Sequence, residues 1–322
     1  MQYKVLFKRC LLAIVVMFVV TSLQAQREMK TINDNWEFRK SIDESWESVN
    51  LPHTFNIDAY QQRNYYQGKG FYRRTLVLPE IVAERRYYMK IDAASKAANI
   101  RVNGKEVGSH VGGYTACIVD ITEYIRKENL IEITVDNGRK DITPISADFT
   151  FWGGIYRDVW LISTPKQHFN MSNMGSDGIF ISTPVVNEKR GVLKVKCEVT
   201  NDSHESSILE VRSAIYSPQG KLLQTIKQKQ KLKSGETYIF ENTSGAIESP
   251  DLWSPETPSL YLVKTTLVDP KSGKLLDEKN HKVGFRWFTF DGSKGFFLNG
   301  KSYKLRGLNR HQDQAPAGAG LD

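Results

Sequence analysis

Apolar and polar residues alternate along most of this chain, in short runs separated by Gly, Asn, Asp, Pro and Ser. "GFYRRTLVL", "RRYYMKIDA", "ENLIEITVDN" and "RDVWLIST" alternate or run β-branched and aromatic, as strands with a buried face do. Spacing at i, i+3 and i+4 is nearly absent after residue 25, so the fold is expected to be all-β. In "ANIRVNGKEVGSH", Asn103-Gly104 stands between two such runs and predicts a two-residue hairpin. Several such strands in succession predict a two-sheet sandwich of jelly-roll type.

A second unit begins after "STPKQHF". There "VLKVKCEVT", "ILEVRSAIY", "KLLQTIKQ" and "LYLVKTTLVD" alternate again, and Asp269-Pro270-Lys271-Ser272-Gly273 reads as a turn before "KLLDEKNHKVGF". Its size and strand spacing match an immunoglobulin-like sandwich. From Gly284 the character shifts to a hairpin-like start with Gly and Asn-Gly turns. Lys304-Leu305-Arg306-Gly307-Leu308 then reads as a short strand, ending in the polar cluster Asn309-Arg310-His311-Gln312-Asp313. The final "QAPAGAGLD" reads as a flexible loop, and residues after about Phe290 are expected to pack poorly.

The first 25 residues change the picture of where the protein works. Lys4, Lys8 and Arg9 precede the apolar run "LLAIVVMFVV", and Ala25 offers a small residue for cleavage. That order is a secretory signal peptide, and the run is too short for a spanning helix of roughly 20 residues. The mature chain is expected outside the cytoplasm, in the periplasm, with no membrane span after signal removal. Losing those three basic groups lowers the formal charge from +8 to +5. The remaining excess is spread out; "KQKQKLK" (Lys227 to Lys233) reads as the solvent edge of a strand and turn, so nucleic acid is not expected as a partner. Cys117 and Cys197 flank apolar residues in different units and read as small buried side chains rather than a disulfide framework.

Two segments concentrate functional residue types. In "SADFTFWGGIYRDVWLI", Asp148 lies beside Phe149, Phe151 and Trp152, with Gly153-Gly154 allowing a tight backbone. A carboxylate can accept hydroxyl hydrogen bonds while a ring such as Trp152 stacks on a pyranose; equally, these aromatics can be core with Asp148 capping a turn. The second segment is the tail, where His311 and Asp313 could bind a substrate hydroxyl, a metal or each other. No P-loop, clustered metal-ligand spacing or Gly-x-Ser-x-Gly occurs, which removes phosphoryl transfer and nucleophile-elbow hydrolysis.

"LPHTFN", "GFYRRTLVLP", "IRVNGKEVGSHVGGYTACIVDITEYI", "GGIYRDVWL", "LWSPETPSLYLV" and "VGFRWF…FFLNGKSYKLRGLNRHQD" together resemble family 2 glycoside hydrolases, with "GLNRHQD" most like the β-galactosidase branch. The resemblance implies a jelly-roll (galactose-binding-like) sugar-binding domain over 26–165, an immunoglobulin-like domain over 166–283, and over 284–322 the first strand of an incomplete (β/α)8 barrel. A whole barrel takes about 250 residues, so the chain reads as the N-terminal part of a longer, secreted, retaining enzyme acting on terminal β-galactosides. The family's two catalytic glutamates come from later barrel strands, and no residue after Gly284 matches their context, so this part is expected to be inactive alone. Asp148 matches an aspartate near the sugar's 6-hydroxyl and a monovalent cation. His311 matches a substrate contact of the first barrel loop, and Arg306 and Asn309 are implied as supporting residues. The cofactors implied are that monovalent cation and Mg, both for a complete enzyme, which could also be a homo-oligomer. A stand-alone carbohydrate-binding protein, or a family 2 β-glucuronidase or β-mannosidase, are the alternatives.

Overall fold

A computed structural model describes residues 26–310, 313–315 and 317–320; the expected signal peptide and His311 lie outside them. The alternating runs become β1 (Glu28–Thr31), β2 (Trp36–Arg39), β3 (Glu47–Val49), β4 (Lys69–Val77), β5 (Arg85–Ile91) and β6 (Ala97–Val102). They continue as β7 (Lys105–Val111), β8 (Cys117–Asp120), β9 (Glu128–Asp136), β10 (Val159–Pro165) and β11 (Gln167–Phe169). Next come β12 (Ile179–Val186), β13 (Arg190–Asn201), β14 (Ser207–Tyr216), β15 (Leu222–Leu232), β16 (Glu236–Thr243) and β17 (Ile247–Glu248). The last are β18 (Tyr261–Val268), β19 (Leu275–Val283), β20 (Phe288–Asp291), β21 (Gly295–Leu298) and β22 (Lys301–Ser302). A short 3-10 turn, Ile57–Tyr60, is the helical element among the described residues. None of their helices is long and apolar enough to cross a membrane.

The chain divides into two compact units, the first holding 28–163, 171–176 and the described residues after 307, the second holding 26–27, 164–170 and 177–307. In the first, a sheet ordered β3-β2-β4-β9-β6-β7 and a sheet ordered β1-β10-β5-β8 form a jelly-roll sandwich. Trp36, Phe38, Tyr72 and Ile133 from one sheet and Met89 and Ile91 from the other share a single core. Strand period decides the exceptions. Ile131, Ile133 and Val135 point inward along β9, which turns Leu130 out and Asn129 in, only 1% exposed. Asn129 is satisfied there, accepting from the Arg126 N–H (2.7 Å) and donating to the carbonyls of Leu76 and Arg126. The expected hairpin forms, with Val102 opposite Lys105 and φ of 52° and 76° at Asn103 and Gly104.

In the second unit β13 is central, with β12 and β11 along one side and β17 and β16 along the other. It faces a sheet ordered β15-β14-β18-β19 across a core that includes Phe169, Val195, Val211, Phe240 and Phe285. This is the immunoglobulin-like sandwich. Asp277, fully buried, is neutralised by Arg27, whose Nε and Nη2 donate to its two oxygens at 3.1 and 2.7 Å. The same carboxylate accepts the Phe169 N–H at 2.9 Å. A second Asn-Gly hairpin, with φ of 51° and 75° at Asn299 and Gly300, joins β21 to β22.

Two expectations for the tail are corrected. Residues 304–308 form no strand, and Leu305 and Leu308 are 63% and 86% exposed. A strand exists only where neighbours complete its hydrogen bonds, and no described strand runs beside this segment. Among the described residues of the final stretch, Gln314 and Gly318 exchange two backbone hydrogen bonds, at 3.1 and 2.8 Å, and Gly318 is buried. Poor packing after Phe290 holds for Phe290 itself, which is 73% exposed, but not for Leu298 in the hairpin core. Cys117 and Cys197 are free and buried, as expected, and burial pushes the Cys197 thiol up to about 12, so it is no nucleophile.

Candidate functional site

The stretch from β9 to β10 carries Asp148, and its two ends are fixed differently. At the near end, Lys96 lies almost wholly inside the first unit and donates from Nζ to the carbonyls of Arg139 (3.3 Å) and Pro144 (2.9 Å). The same ammonium lies 4.4 Å from the centre of the Phe151 ring. Burial lowers the Lys96 pKa, while Asp136 acts against that shift.

At the far end the anchor is a pair of buried amides. Asn56 and Asn137 both donate from Nδ2 to the carbonyl oxygen of Phe151, at 3.0 and 2.8 Å. The Asn56 Oδ1 accepts the Gly153 N–H at 2.7 Å, and the Asn137 Oδ1 accepts the Gly68 N–H at 2.8 Å. The Phe151 N–H donates to the Tyr65 hydroxyl at 2.9 Å. Gly153 and Gly154 are required here. A Cβ on Gly153 would lie 2.4 Å from Phe55 Cζ; on Gly154, at φ +135°, it would lie 2.2 Å from the carbonyl oxygen of His53.

Between these anchors, residues 145–148 are exposed. They form one wall of a cavity of about 720 Å³, faced by Gln62, Arg63, Tyr65 and Gln67. Asp148 is the single carboxylate in its lining, beside one guanidinium, two amides and a phenol. Such a surface can exchange hydrogen bonds with several sugar hydroxyls or hold an acidic group. Retaining glycoside hydrolysis needs two carboxyl groups about 5–5.5 Å apart, which this lining does not supply. Nor do the described residues gather three or more His, Cys, Asp or Glu side chains that could hold a metal. Asp148 could offer a carboxylate to a monovalent cation, but it does not make a cation site by itself.

The other sequence-derived candidates lie apart from this lining. Trp152 packs on Tyr60, with ring centres 5.2 Å apart, and on Gly318, where a Cβ would come within 2.7 Å of its Cε3. Trp152 itself is half-buried, so these contacts cover part of its ring. Burial and the charge of Asp313 raise the Tyr60 pKa, against a backbone hydrogen bond from Gly318. Arg306 and Asn309 are exposed, in the segment that forms no strand. Sequence reasoning missed Arg63 and Tyr65 in the cavity and the two anchoring amides. The signal was partly present, because Asn56 closes the "LPHTFN" motif and Asn137 sits between Asp136 and Gly138 as a turn residue.

Residues 13–165 match the sugar binding domain of glycosyl hydrolases family 2, and residues 177–286 match a further glycosyl hydrolases family 2 domain. Among curated proteins, a beta-glucuronidase of Bacteroides fragilis is 33% identical over 93% of this chain and 44% of its own length. A beta-galactosidase of Bacteroides ovatus is 27% identical over 94% of this chain and 36% of its own. Among solved structures, a Bacteroides uniformis beta-glucuronidase superposes with a TM-score of 0.89 at 52% identity, covering 92% of this chain and 37% of that one. The chain thus spans less than half the length of the relatives it matches.

Proposed function

Because this chain belongs to glycosyl hydrolase family 2, we propose that it is the sugar-binding and immunoglobulin-like part of a secreted β-glycosidase that removes terminal β-glucuronosyl residues from glycans. The observation that carries the reading is the 52% identity and TM-score of 0.89 with the Bacteroides uniformis beta-glucuronidase. "GLNRHQD" alone pulled the substrate towards β-galactosides, and a beta-galactosidase at 27% identity keeps that as the second reading. Both sugars present hydroxyls that Asp148 can accept from; they differ in the configuration of the C4 hydroxyl and in charge at C6, where the glucuronide carries a carboxylate. That difference in charge is the one Arg63 and Asp148, with opposite charges in one cavity lining, are suited to sense.

In this proposal the acid/base and nucleophile are carboxyl groups of the catalytic barrel outside this chain, working as a close pair. Asp148, Asn309 and His311 contribute from the edge, by positioning sugar hydroxyls. The test is hydrolysis of p-nitrophenyl β-glucuronide and p-nitrophenyl β-galactoside by the complete enzyme. Faster turnover of the glucuronide supports the proposal, as does loss of kcat/KM in D148A with folding intact. A preference for the galactoside would replace the substrate, and no turnover of either would overturn the reading.

A further inference from the structure

The outer face of the sheet β15-β14-β18-β19 is basic. Lys227, Lys229 and Lys231 are all exposed along β15, and residues two apart share a face, so they stand in a row about 7 Å apart. Register carries the charge across the sheet. Lys227 lies opposite Arg212, Arg212 opposite Thr266, and Lys264, two residues from Thr266, opposite Asn280. Lys282, two residues beyond Asn280, extends the face at the far strand. The cations therefore follow a diagonal from Lys231 to Lys282 that covers roughly 30 Å along the strand direction.

Two carboxylates share this face. Glu210 takes Lys229 at 3.1 Å and Arg212, and Glu278 takes Lys264 at 2.9 Å. Lys227, Lys231 and Lys282 enter no ion pair among the described residues. Lysines on an outer strand are a common guard against edge-to-edge aggregation, and β15 is such a strand. That role extends to Lys282, because β19 is the other outer strand of the sheet, but it leaves unaccounted for Arg212 and Lys264, on the two inner strands, which carry the charge from one edge to the other. A diagonal of this length is too extended for one small anion and suits a linear polyanion.

We propose that this face binds an acidic polysaccharide, whose carboxylate or sulfate groups sit along Lys231, Lys227 and Lys282. The choice of a glycan among polyanions rests on the glycosidase reading above; the basic diagonal does not. Exposed charges are screened within about 10 Å at 0.1 M salt, so binding is expected to be salt-sensitive.

The test is retention of this chain on immobilised heparin, a sulfated uronic-acid polysaccharide, in a sodium chloride gradient. K227Q/K231Q/K282Q removes only unpaired lysines, so folding should persist, as checked by thermal melting. It is expected to elute at clearly lower salt, with Kd at 0.1 M salt raised about tenfold. K105Q/K127Q/K140Q removes the same charge from exposed lysines of the other unit and is expected to elute with the wild type. Equal shifts in both variants, no retention at all, or tighter binding to single-stranded DNA than to heparin would each overturn the proposal. The readout is binding, so a complete enzyme that cleaves glucuronides while the triple variant is retained normally overturns this inference and spares the hydrolase reading.

Discussion

Asn56 and Asn137, from distant parts of the sequence, donate their side-chain amides to the same acceptor, the carbonyl oxygen of Phe151. Each amide also accepts a backbone N–H, from Gly153 and Gly68 respectively. Replacing either with Ala leaves a buried N–H unpaired, which costs about 1–3 kcal/mol. Urea denaturation of N56A and N137A should show losses of that size. Because they share an acceptor, the double variant should deviate from the sum of the singles; strict additivity would mean that the two amides act independently.

Gly154 admits no side chain. At φ +135° a Cβ would press on the His53 carbonyl oxygen, a backbone atom that cannot swing away. G154A is expected to destabilise the first unit by about 3 kcal/mol or more. G104A is the comparison: its φ is also positive, at +76°, but the space around it is open, so about 1 kcal/mol is expected. Similar losses from the two variants would refute the steric argument.

His53 makes the first unit acid-sensitive. Its Nδ1 meets the Tyr72 hydroxyl at 2.8 Å, its ring packs on Phe38, and burial, helped by the charge of Lys40, lowers its pKa from 6.5 to about 4. Between those two values the unfolded chain holds a proton that the folded chain lacks. Stability therefore rises with pH across this window, and at most about 3 kcal/mol is lost as pH falls through it. Urea midpoints at pH 7 and pH 4.5 should fall further for the wild type than for H53Q; parallel falls would exclude His53 as the cause.

The Arg27–Asp277 pair is buried on both sides, with side-chain exposures of 4% and 0%. Truncating Arg27 strands a carboxylate in the core of the second unit, and losses of about 3–5 kcal/mol are typical. R27M should lower the denaturation midpoint of that unit, and R27M/D277N should recover part of the loss. An unchanged midpoint in R27M would show that Asp277 is adequately held by the backbone N–H groups of Phe169 and Glu278.

Much of this architecture was legible from period alone. The runs that alternate became strands, and both Asn-Gly pairs became two-residue turns, because two-fold spacing and positive φ are local properties. Lys304–Leu308 failed as a strand for the opposite reason: a ladder needs partners that local sequence does not supply. The glycine pair at 153–154 was recognisable as a tight-backbone requirement, whereas the cavity's Arg63 and Tyr65 were not, since they reach Asp148 only through tertiary placement. For Trp152 the packing was not legible, because an aromatic beside an acid reads the same whether or not, as here, Tyr60 and Gly318 pack against it.

The unequal fastening of the Asp148 loop has a practical consequence. From Phe151 onward the backbone is fixed by buried amides and by glycines that tolerate no methyl group, while residues 145–148 touch solvent. Exposed wall and buried foundation are thus separate layers, and substitutions at 145–148 are expected to cost less stability than the same changes at 151–154. If the proposed function holds, a library confined to residues 145–148 would explore sugar preference on an intact scaffold, whereas the same diversity four residues later would sample chiefly unfolded chains.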